Sequence, residues 1–107
     1  MTKAVRDSIK DLKNLIDQTE EEIREFSFDE AETAYSNMAV TIVDTIRDIL
    51  QDTTDNANLY RQLMDLSSII NTTEWDTTVD NGNPVEYFRA LTEDWVSRIE
   101  LILEFNR

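Results

Sequence analysis

Eight carboxylates crowd into sixteen residues of this chain: Asp17, Glu20, Glu21, Glu22, Glu25, Asp29, Glu30 and Glu32. Acids in such a run can do two kinds of chemistry. They can coordinate a hard cation where they converge, or present a field of negative charge to a basic surface. On a helix, Asp17, Glu21 and Glu25 stack at four-residue intervals, about 6 Å apart along the axis. Like charges at that spacing cost a helix about 0.2–0.5 kcal/mol each. A row of this kind can imitate a phosphate backbone and occupy the nucleic-acid groove of another protein. Asp17, Glu21, Glu22, Glu25, Asp29 and Glu32 are therefore the expected partner-binding residues. The plainer alternative is a solvated face that keeps the chain dispersed.

The rest of the composition removes most other chemistry. Among 107 residues there is no histidine, no cysteine and a single glycine. Thiol nucleophiles, cysteine-type zinc sites and disulfide frameworks are excluded. No catalytic residue, metal ligand set or cofactor is expected. The net charge is −13, and every lysine falls within the first thirteen positions. Nucleic-acid binding needs Lys and Arg to displace counterions from phosphate, so a direct nucleic-acid ligand is disfavoured and a basic protein partner favoured. The first residues lack the apolar core of a signal peptide. No apolar run approaches the ~18 residues that cross a bilayer. A cytoplasmic location without membrane contact is the expectation.

Four helices must position these charges within a single domain, 1–107. Val5, Ile9, Leu12, Ile16, Thr19, Ile23 and Phe26 recur at 4-3 spacing, predicting a helix near 3–26 with a seam broken only by Thr19. Ser27 and Glu30 have capping-box spacing, with Phe26 placed as a hydrophobic staple. The second helix, near 28–51, has Ala31, Tyr35, Met38, Ile42 and Ile49 on one stripe. Ala39, Val43, Ile46 and Leu50 form a second stripe, making the apolar face wide. That width predicts a further neighbour, and Val43 and Leu50 are the expected oligomer interface of a homodimer formed through the first or second helix. A shorter helix near 56–70 offers Leu59, Leu63, Leu66 and Ile70. A long loop at about 71–83 follows, and Asn83-Pro84-Val85-Glu86 reads as a helix start. The last helix, near 84–105, presents Phe88, Leu91, Trp95, Ile99, Ile102 and Phe105. Short connections favour antiparallel neighbours. The predicted fold is an all-α four-helix bundle with three long helices and one shorter.

The loop carries two smaller signals. Trp75 is a candidate partner anchor, since aromatic residues dominate binding hot spots; plugging one end of the bundle is the alternative. Asp76, Asp80, Asn81 and Gly82 do not make a calcium loop. Placing Gly82 at the EF-hand glycine puts Thr77, Val79 and Phe88 where carboxylates are required.

Glu21-Glu22-Ile23-Arg24-Glu25 resembles the EExxE element of the all-α, MazG-like NTP pyrophosphatases. The resemblance implies a second-helix ExxD element, with the acids holding magnesium against a triphosphate. The corresponding stretch is Thr45-Ile46-Arg47-Asp48, in which Asp48 matches the final acid and Thr45 stands where the glutamate belongs. If Ile16 and Ile23 face the core, Glu21 and Glu25 turn away from it, whereas a metal site needs carboxylates converging from facing helices.

The preferred reading is an acidic, non-enzymatic helical binding protein that inhibits or modulates a basic, nucleic-acid-binding partner. It has the general look of the small inhibitors that phages and mobile elements direct at nucleic-acid-binding defence enzymes, as a DNA mimic does. An oligomerising structural or adaptor module is the alternative, and the magnesium-dependent pyrophosphatase the outsider.

Overall fold

Apolar residues at 4-3 spacing bury one face of a helix, and the computed structural model follows that spacing in each segment. It describes residues 3–23, 28–51, 56–73 and 84–106. The elements are α1 (Lys3–Ile23), α2 (Phe28–Gln51), α3 (Ala57–Asn71) and α4 (Pro84–Phe105), with no strand among the described residues. An all-α four-helix bundle, three helices long and one shorter, is the fold. The Ser27 capping box, the Phe26 staple and positions 74–83 of the loop lie outside the described residues.

On α1, Val5, Ile9, Leu12 and Ile16 are buried, and Thr19 is buried in line with them. Ion pairs fix the direction of the helices. Lys13 Nζ meets Glu100 Oε1 at 2.7 Å, while Arg89 Nη2 reaches Asp17 Oδ1 at 2.8 Å. Higher numbers on α1 pair with lower numbers on α4, so these two run antiparallel. At the opposite end, Asn106 Nδ2 donates to Gln62 Oε1 at 2.6 Å and Asn58 Nδ2 donates to Asn106 Oδ1 at 2.9 Å, so α4 ends where α3 begins. The molecule extends 44 × 24 × 18 Å.

Helix α3 begins with a side-chain cap. Asn56 sits in extended backbone and its Oδ1 accepts from the Leu59 amide at 3.0 Å, satisfying one of the donors a helix start leaves open. Its Nδ2 donates to the Asn106 carbonyl at 3.3 Å, joining the cap to the end of α4. Asn56→Ala is expected to lower the unfolding free energy by about 1 kcal/mol. Urea titration measures this as a lower midpoint at unchanged slope.

The width of α2's apolar face has an internal cause. Among the described residues α1 and α3 each pack against α2 and α4, α2 packs directly against α4, and α1 and α3 do not touch. A helix in contact with all three others must be apolar over a wide arc. Val43 and Leu50, expected at an oligomer interface, are 7% and 8% exposed within one chain. They belong to the core. The argument for a dimer through the α2 face goes with that correction.

Helix α4 also touches three neighbours, and its buried line differs from the tightest apolar stripe in the sequence. Phe88, Thr92, Trp95, Val96, Ile99 and Leu103 are buried. Leu91 and Ile102 are half-buried at the edge, and Phe105 is 83% exposed. Thr92 is fully enclosed because its hydroxyl donates back to the Phe88 carbonyl at 3.1 Å, leaving no polar group open.

Candidate functional site

Antiparallel packing brings the end of α1, the start of α2 and the start of α4 to one end of the bundle. The Tyr35 and Phe88 rings, 5.6 Å apart, join the last two. Residues 17–23, 28–32 and 84–93 carry nine carboxylates there, and Arg89 is the one cation among those positions. The chain's charge is thus polarised along the bundle, because Lys3 and Lys10 lie toward the other end of α1 and Lys13 at its middle.

Arg89 is the organising residue of this end. Its Nη2 donates to Asp17 Oδ1 at 2.8 Å, its Nε to Glu93 Oε1 at 2.6 Å, and Nη1 pairs with Glu20. Glu93 sits four residues further along the same helix, whereas Asp17 and Glu20 come from α1. A guanidinium suits this role because its fork of donors holds several carboxylates at once. Partial desolvation pulls the Arg89 pKa down, and the hydrogen bonds and charges of Glu93 and Asp17 more than reverse it, so the group stands above its ordinary value. The cluster keeps a net charge of −2 and ties α1 to α4.

The expected binding residues divide into three sets. Asp17 is exposed but held by Arg89. Glu21 and Glu22 on α1 and Asp29 on α2 are exposed and form no ion pair among the described residues, while Glu32 is half-buried. Glu25 and Trp75 lie outside the described residues. The acids wrap around the helix end instead of lining one flat row: Glu21 is about 40° round α1 from Asp17, and Glu22 about 100° further. Arg89 did not stand out in the sequence. Its one visible signal was the spacing to Glu93, which says nothing of α1.

Among the described residues, Glu21 and Asp48 of the magnesium set implied by the pyrophosphatase resemblance do not come together. Glu21 lies at the end of α1 next to the start of α2, while Asp48 is twenty positions along α2, roughly 30 Å away along its axis. Thr45, in the place of the expected glutamate, donates its hydroxyl to the Thr41 carbonyl at 2.9 Å. Among the described residues no three acidic side chains are grouped to hold a metal ion.

Beneath the acidic end lies a buried phenol. Tyr35 is fully enclosed, and its hydroxyl has no hydrogen-bond partner among the described residues. Burial first, and the charge of Glu93 second, push its pKa up to about 12. The folded chain therefore holds the phenolic proton more tightly than the unfolded chain, whose tyrosine ionises near 10. Stability is unaffected by this group below pH 10, falls as pH rises above 10, and levels off beyond 12. The expected loss is about 2–3 kcal/mol. Alkaline denaturant titrations measure it, and Tyr35→Phe should remove that part of the pH dependence.

No family model matches this chain, and no curated protein or solved structure matches it significantly. No helix among the described residues is long and apolar enough to cross a membrane.

Proposed function

We propose that this chain is an acidic binding protein that inhibits or modulates a basic, nucleic-acid-binding partner, with the acidic end of the bundle as the contact surface. The observation that carries the reading is the convergence of nine carboxylates from three helices at one end, with Glu21, Glu22 and Asp29 exposed there. The mechanism is electrostatic. The acids pair with a Lys/Arg groove, exclude the nucleic acid that groove would hold, and gain association rate by steering. Arg89 contributes rigidity, because it anchors Asp17 and Glu20 against α4 and so fixes part of the surface before contact.

The proposed class is that of the small proteins with which phages and mobile elements block nucleic-acid-binding defence enzymes. The cytoplasm is the proposed compartment, supported by a chain that has no cysteine and needs no disulfide. The test is affinity capture from an extract of the source cells, eluted with duplex DNA as competitor. A basic protein retained by the chain and released by DNA supports the proposal. Retention only of proteins that DNA does not displace overturns it.

A further inference from the structure

A groove of about 370 Å³ runs between α3 and α4, on a flank separate from the acidic end. Leu66 and Ile102 form its floor, and its walls are Ile69, Leu101 and Phe105, which are 47%, 54% and 83% exposed. This is where the apolar stripe of α4 departs from its buried line. Three large exposed apolar side chains on one groove are unusual on a chain so heavily charged.

We propose that this groove is a self-association surface, occupied by the same face of a second copy of the chain. The charges select that occupant. The groove carries one residue of each sign, Asp65 on α3 and Arg98 on α4, so it is locally neutral in a chain of net charge −13. Two such chains repel each other through their acidic ends and approach at least cost through a neutral face. One acid and one base on the same face also make it self-complementary. A two-fold axis lying in the interface plane, perpendicular to the line from Asp65 to Arg98 at its midpoint, sets each Arg98 over Asp65 of the second copy, and an isologous interface forms both pairs at once. Arg98 now pairs with Asp94 on its own helix at 2.9 Å, and with both groups about half exposed it can turn to a new partner at little cost.

This interface is independent of the proposed acidic contact surface, and salt separates the two. Binding through the acidic end weakens with salt. An apolar interface between like-charged chains strengthens as the screening length falls to about 3 Å at 1 M. Sedimentation equilibrium of the full chain at micromolar concentration is the measurement. The expected result is a monomer–dimer equilibrium that tightens with salt and is weakened about tenfold or more by Leu101→Glu, with thermal unfolding of the monomer unchanged. Asp65→Arg and Arg98→Asp should each give monomers, since each places like charges opposite one another twice. Mixing the two variants should restore a dimer, because both crossed pairs are then complementary. A wild-type monomer at all salt concentrations would overturn the proposal. So would a dimer indifferent to Leu101→Glu, or two charge variants that stay monomeric when mixed.

Discussion

Reversing Glu21 and Asp29 to lysine is expected to weaken binding of the basic partner about tenfold or more while the fold remains intact. Both side chains are exposed and form no ion pair among the described residues, so nothing in the bundle depends on them. Exposed substitutions of this kind change stability by about ±0.5 kcal/mol. The matched control reverses Asp11 and Asp48, which are also exposed but lie toward the other end of the molecule. The net charge changes equally in both double variants. A defined epitope predicts loss in the first and little change in the second, measured by calorimetry at physiological salt. Equal loss in both would mean diffuse attraction without an epitope. Binding should also fall steeply as salt is raised, since exposed charges beyond about 8–10 Å are screened at physiological ionic strength.

Truncating Val43 and Leu50 together to alanine should lower the unfolding free energy by about 4 kcal/mol. Leu→Ala in a core costs about 2–5 kcal/mol, and the smaller valine adds to it. Both residues lie within the contact of α2 with its neighbours, and the loss should be the same at every protein concentration. A dimer interface gives a different result: a monomer of unchanged stability, and a concentration-dependent transition in the wild type that the variant lacks. Denaturant titration at two concentrations a hundredfold apart, about the range that exposes a dimer's mass action, distinguishes them. Unchanged stability of the variant would return the α2 face to the surface.

The helices were legible because their signals are local. Val5, Ile9, Leu12 and Ile16 recur with the period of the helix, and Pro84 opens α4 as its φ preference requires. The breadth of α2's apolar face was legible too, but its meaning was not. Val43 and Leu50 look the same in sequence whether they meet α3, α4 or a second chain, because periodicity records how wide a face is and not what covers it. Phe105 fails for the converse reason. It continues the stripe of Phe88, Trp95 and Ile99, yet the turn of α4 toward its three neighbours leaves it outside.

Sequence alone determined the fold class, the absence of thiol and imidazole chemistry, and the large excess of negative charge, since each depends only on residue type and short spacing. Tertiary structure decided where that charge gathers. Glu93 joins Asp17 and Glu20 only because α4 runs antiparallel to α1, which sets residues seventy positions apart around a single guanidinium at Arg89. It also decided that Tyr35 keeps its proton to about pH 12. Burial and the nearness of Glu93 are properties of packing, and no pattern along the chain encodes them.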